Sequence, residues 1–224
     1  MKTITRYIKS IAVVVNLRWL ALLLAVLFIP SPARAANGAD TWLGNISINF
    51  GDANWTGVNN PPISGDSWVF GAAGSSGAAL NNNLTPLNSV AGITFKGGAS
   101  AFTLTNNAIT LTGDVLNNST SLETINLPIT STAARTFTTR SGGGNLTLGG
   151  VFSGSGGGIT KAGPGTLTLN GTAANSYTGP TTVTGGLLIE DFTNAELGSI
   201  RLTAEVALAK SSISDPPVTV VAPL

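Results

Sequence analysis

The chain contains no cysteine and no histidine, and charged residues make up only 9% of it. The first two absences remove disulfide staples, any Cys or His metal centre, and every catalytic arrangement built on an imidazole or a thiolate. Without disulfides, a chain of 224 residues must be held by its own core. The third is low against the roughly 25% charge of ordinary globular chains. Disorder couples low hydrophobicity to high charge, and this chain, 42% hydrophobic, has neither. Gly, Ser, Thr and Asn stand where charges would be, with 28 glycines among them. That composition points to stacked, turn-rich β structure.

Charge is also unevenly placed. Lys2, Arg6, Lys9, Arg18 and Arg34 are 5 of the 11 basic residues, and no acid precedes Asp40. Residues 19–29 form a continuous apolar run, followed by Pro30, Pro32 and the small-x-small pattern Ala33-Arg34-Ala35. A basic start, a short apolar run and such a site define a secretory signal peptide over residues 1–35. The run is shorter than the roughly 20 residues needed to cross a bilayer. A signal anchor beginning at Ile11 is the alternative, with Asn16 and Arg18 inside it. No twin-arginine pair precedes the run, so the general secretion route is expected. Cleavage after Ala35 converts the formal charge of +1 into −4, with 6 basic and 10 acidic residues left. Between residues 41 and 189, Asp52, Asp66, Asp114 and Glu123 balance Lys96, Arg135, Arg140 and Lys161. Such a chain has no basic patch for phosphates, which argues against a nucleic-acid partner.

From Ala36 onward, short runs alternate aliphatic residues with Thr, as in Phe102-Thr103-Leu104-Thr105 and Leu167-Thr168-Leu169-Asn170. A period of two with β-branched residues reads as strands buried on one face, and the region reads as all-β. Leu104, Ile125, Leu146, Leu167 and Leu188 follow one another at 21 residues. Leu127, Leu148 and Leu169 repeat the match two places on, where Asn106 and Glu190 depart from it. A fixed period in the twenties is the mark of a solenoid, here a parallel β-helix of about 21 residues per coil over residues 36–191. The joints Ser141-Gly142-Gly143-Gly144 and Gly154-Ser155-Gly156-Gly157-Gly158 suit corners that need positive φ. Trp42, Trp55 and Trp68 fit a cap over the first coil. Beyond Asp191 the texture stops, with a short helix expected within 195–210. Residues 192–224 read as an irregular tail, as in a truncated or frameshifted product.

One stretch is more specific. Ile159-Thr160-Lys161-Ala162-Gly163-Pro164-Gly165-Thr166-Leu167-Thr168-Leu169-Asn170-Gly171 continues through Asn175-Ser176-Tyr177-Thr178-Gly179-Pro180-Thr181 to Gly185-Gly186-Leu187-Leu188-Ile189. It resembles the autotransporter-associated β-strand repeat, also called the passenger-associated transport repeat, over residues 157–190. The resemblance implies a right-handed parallel β-helix, bacterial export, and surface display or passenger secretion. It carries no catalytic, cofactor-binding or metal-binding residues. One full repeat stands where such proteins usually carry several, and a membrane barrel of many strands would need far more chain than the residues after it.

Candidate chemistry is sparse. Asp52, Asp66, Asp114 and Glu123 are the carboxylates that a polysaccharide-degrading β-helix would draw on, although Asp52 and Asp66 lie in turns where Asp commonly caps its own backbone. Trp42, Trp55 and Trp68 on a solvent face would stack on sugars. Gly154-Ser155-Gly156-Gly157-Gly158 lacks the Lys-Ser/Thr ending of a phosphate loop. Lys161 is expected to project into solvent and discourage edge pairing. The reading is thus an exported structural solenoid, not an enzyme, with no cofactor or metal. Its partner is unassigned: outer-membrane or cell-surface components, or a carbohydrate. The alternative is a carbohydrate-binding or polysaccharide-degrading β-helix. Mass spectrometry of the exported chain is expected to find Ala36 at its N-terminus; a chain still beginning at Met1 would refute the signal peptide.

Overall fold

The computed structural model describes residues 36–85, 89–190, 200–202 and 207–210, the last two segments by backbone alone. The signal peptide expected over residues 1–35 lies outside them. The described residues contain strands and turns and no helix.

Each coil contributes up to three short strands, and equivalent strands of successive coils pair side by side. The first sheet joins β1 (Ala39–Trp42), β3 (Ser67–Phe70), β5 (Gly92–Phe95), β8 (Val115–Asn117), β11 (Ala134–Thr139), β14 (Gly158–Ala162), β17 (Thr181–Val183) and β19 (Ile200–Leu202). The second joins β4 (Ala79–Asn82), β6 (Thr103–Asn106), β9 (Glu123–Ile125), β12 (Leu146–Leu148), β15 (Thr166–Leu169), β18 (Leu187–Glu190) and β20 (Ala207–Lys210). The third is narrower: β7 (Ile109–Thr110), β10 (Ile129–Thr130), β13 (Phe152–Gly154) and β16 (Ser176–Tyr177). Among the described residues, these strands pair in parallel within all three sheets. The fold is a β-solenoid whose core runs along its axis, each strand turning alternate residues inward.

The register is less uniform than the sequence suggests. Leu104 lies beside Ile125, 21 residues on, but Ile125 lies beside Leu148, 23 residues on. Leu146 instead pairs with Glu123 on one side and Leu167 on the other, and Leu167 with Leu188. The apparent single ladder is therefore two. One runs Glu123, Leu146, Leu167, Leu188; the other runs Leu80, Leu104, Ile125, Leu148, Leu169, Glu190. A two-residue shift keeps the same face inward, so both alignments look sound in sequence. Relative to the coil before, the β9–β10 turn is one residue shorter, the corner between β10 and β11 two longer, and the corner between β11 and β12 one longer. There Gly142 and Gly143 adopt φ of 78° and 104°, where a side chain would be strained. Asn106 marks another corner: it is exposed, with φ 86°, a conformation Asn tolerates.

The first coil is closed by β2 (Trp55–Gly57), which pairs antiparallel with β1 on the outer edge of the first sheet. Beneath it Trp42, Phe50, Trp55, Trp68 and Phe70 are buried together. Phe50 sits between the rings of Trp55 and Trp68, with centroids 5.1 and 5.0 Å away in edge-on contact. Trp55 Nε1 donates to Phe50 O at 2.9 Å, and Asn54 Oδ1 accepts Ile46 N and Ser47 N of the loop that follows β1. Past Asp191, β19 and β20 continue the first and second sheets. The helix expected within 195–210 is not formed at 200–202 and 207–210. Edge-to-edge pairing with the coil before carries these short segments as strands.

The register has an energetic signature. In double-mutant cycles with Ala, Ile125 and Leu148 are expected to couple more strongly than Ile125 and Leu146, with each single change costing about 2–4 kcal/mol in denaturant unfolding. Equal coupling of the two pairs would contradict the shifted register.

Candidate functional site

The segment with the most specific sequence, residues 157–190, also contains the least expected side chain. Lys161 lies on β14, where Ile159 faces the core; alternation places Lys161, two residues on, inside as well. It is fully buried, not solvent-facing as expected from a charge beside a glycine turn. Its Nζ donates to Ala162 O at 2.8 Å, Gly163 O at 2.7 Å and Gly185 O at 3.0 Å. Three ammonium protons meet three carbonyls, the number a Lys can satisfy. Two acceptors belong to its own corner and the third to the corner of the next coil. Burial pushes the ammonium down to about 8, which leaves it charged at neutral pH. Gly186, with φ 73°, gives it room: a Cβ there would stand 2.8 Å from Nζ and 2.3 Å from Gly165 O.

Other polar residues of the same stretch also reach across coils. Asn175 Oδ1 accepts Phe152 N at 2.7 Å, and Thr178 Oγ1 accepts Gly156 N at 2.9 Å. One coil earlier, Asn145 Oδ1 accepts Thr166 N at 2.8 Å. Tyr177 is buried edge-on against Phe152, with centroids 5.4 Å apart, and its hydroxyl bonds to Thr181 Oγ1. Every one of these contacts binds backbone or fills the core. The site is a set of stitches between coils.

Residues 159–189 match the Passenger-associated-transport-repeat family. The matched segment coincides with the stretch singled out in the sequence, and Lys161, Tyr177 and Thr181, which lie within it, are buried. No curated protein and no solved structure matches this chain.

The four carboxylates weighed for hydrolysis each have their own partners. Asp52 Oδ2 accepts Ser47 Oγ. Asp66 is buried and accepts Gly38 N, Asn59 Nδ2 and Ile63 N. Asp114 Oδ1 accepts Thr136 N of the next coil. Glu123 lies in the core, its Oε2 accepting Phe102 N at 2.8 Å and its Oε1 2.9 Å from Ser119 Oγ. The structure places these four in separate surroundings; the acid beside Asp66 is Asp40, outside the candidate set. Trp42, Trp55 and Trp68, at most 2% exposed, present no ring face to a sugar.

Sequence reasoning missed the burial of Glu123, Lys161 and Glu190, and the missing signal was parity. Glu123 is two residues from Ile125, Lys161 two from Ile159 and Glu190 two from Leu188, each on the inward face of its strand. Burial pushes Glu123 up to about 7 against the lowering pull of the Phe102 N–H and the Ser119 hydroxyl. Burial likewise pushes Glu190 up to about 7, and burial together with the Glu190 charge pushes Tyr177 up to about 12. Ser119 Oγ has one proton but lies within reach of Asn117 Oδ1, Ser121 O and Glu123 Oε1.

A carboxyl raised in the folded state stabilises fully below its unfolded value and loses that contribution as pH rises through its folded value. Stability is therefore expected to fall between about pH 4.5 and 7, and Glu123→Gln to flatten that fall in urea unfolding across the window. An unchanged pH profile would refute the neutral Glu123. Lys161→Met should cost about 2–3 kcal/mol at pH 7, because it leaves buried carbonyls without their donor.

Proposed function

We propose that this protein is an exported, non-catalytic β-solenoid that serves as a passenger segment or scaffold for display at a bacterial surface. The observation carrying this reading is the placement of the matched repeat. Residues 159–189 lie in register within a continuous parallel stack, with its polar pattern turned to stitching coil to coil. Such a repeat builds length and a regular outer face rather than a pocket. Export is supported by the repeat and by the leader-like residues 1–35.

The carbohydrate reading draws less support from this arrangement. It leaned on tryptophans facing solvent and on carboxylates within reach of each other, and the tryptophans instead close the first coil.

The Ser141-Gly142-Gly143 corner provides the test, since it is exposed and a Cβ on Gly142 would meet nothing within 4 Å. An epitope inserted between Gly142 and Gly143 is expected to bind antibody on intact cells. Binding only after the outer membrane is permeabilised would overturn surface display.

A further inference from the structure

The N-terminal cap holds a pair of buried acids that the solenoid itself does not use. Asp40 and Asp66 are both fully buried, and Asp66 stands beside Asp40. Asn59 bridges them: its backbone N–H donates to Asp40 Oδ1 at 2.7 Å and its Nδ2 to Asp66 Oδ2 at 2.9 Å. Gly38 N and Ile63 N complete Asp66. Asp40 Oδ2 is buried and meets no N–H or hydroxyl donor among the described residues; the two carboxyls stand within hydrogen-bonding reach of each other. Among the described residues, no cation reaches the pair from the segments around it. Residues 36–39, 57–65, 67–70 and 89–92 carry no charged side chain, and the next charge near this edge of the first sheet, Asp114, is another acid two coils on. Two carboxyls side by side without a cation cannot both ionise at modest cost.

The chain start supplies what is missing. The same Asn59 Nδ2 that bonds Asp66 also donates to Ala36 O at 2.8 Å, and Gly38 N is 2.9 Å from Asp66 Oδ1. Residue 36 is thus tied to the carboxyl pair through one shared amide group. Ala36 is also the residue that follows the small-x-small site Ala33-Arg34-Ala35. While the leader is attached, the nitrogen of Ala36 is a neutral amide. Hydrolysis of the Ala35–Ala36 bond adds one water, leaves a carboxylate on Ala35, and turns that nitrogen into an α-ammonium.

We infer that removal of the leader creates the cation of this site: the new α-ammonium of Ala36 turns onto the buried Asp40–Asp66 pair and locks the cap closed. Ala36 O and Gly38 N hold the following backbone beside the pair. Burial and the neighbouring Asp66 raise the pKa of Asp40, in keeping with an acid pair that lacks a counter-charge. The inference rests on the export reading only for the point of cleavage.

The test compares residues 36–224 with a free Ala36 amine against the same chain N-acetylated, so it does not depend on where the cell cuts. The α-amine is expected to titrate near pH 9, about one unit above its ordinary value. At pH 7 the acetylated chain is expected to melt about 2–4 °C lower. Sign follows from linkage: a raised amine stabilises fully below its unfolded value and ceases to do so as pH rises through about 9. The gap in melting should therefore close above that pH, and it should shrink in Asp66→Asn, or in Asp40→Asn where the first variant fails to fold. An amine titrating near 8, with both chains melting together at pH 7, would overturn the inference. A different N-terminus on the exported protein would count against the expected cleavage point and leave this measurement intact.

Discussion

Each coil is held by backbone hydrogen bonds to the coil on either side, and these bonds exist only while the two are in register. Short strands of two to six residues cannot secure that alone. A solenoid gains by repetition: every coil templates the next, and inward side chains of neighbouring coils stack about 4.8 Å apart. Burying a Leu or Ile in such a stack contributes roughly 1.5–3 kcal/mol. The aliphatic rows of the second sheet and the phenylalanines of the first coils supply most of this. The corners decide whether it is collected, because they set how many residues separate one strand from its successor.

That division explains what the sequence disclosed and what it hid. Strand alternation between Thr and Leu was legible because it is local, and the solenoid followed from the recurrence of Leu104, Ile125, Leu167 and Leu188. The shift at Leu146 was not legible. It arises where the β9–β10, β10–β11 and β11–β12 connections differ in length from those of the coil before, and corners absorb residues without leaving a mark on the flanking alternation. The burial of Lys161 was hidden for another reason. Charge next to Gly163 suggests a solvated turn, and only the parity with Ile159 reveals the inward position. Glu123 was weighed as chemistry when its spacing from Ile125 already marked it as core.

The N-terminal end shows the same economy. An open coil would expose a row of unpaired backbone groups to any passing strand. Here β2 folds back antiparallel on β1, and a cluster of five aromatic rings fills the space a preceding coil would occupy. The fold thus changes its pairing rule once, at its first edge.

Polar groups inside a solenoid then have a role that aliphatic rows cannot perform. Leu146 and Leu148 are nearly interchangeable as partners of Ile125, so a hydrophobic ladder is degenerate under a shift of two residues. A buried polar group is not. Glu123 Oε2 needs the Phe102 N–H, and Lys161 Nζ needs the Gly185 carbonyl as well as those of its own corner. Shifted by two residues, each would lose its partner and leave a polar group unpaired in the core, at a cost of about 1–3 kcal/mol, more for the Lys161 ammonium. The correct register loses nothing, since each group is bonded in place. Burying Glu123 and Lys161 therefore lowers the maximum stability of the stack while widening the gap to its misaligned alternatives. In a chain whose coils differ by as little as a pair of glycines, that gap is what makes one register the native one.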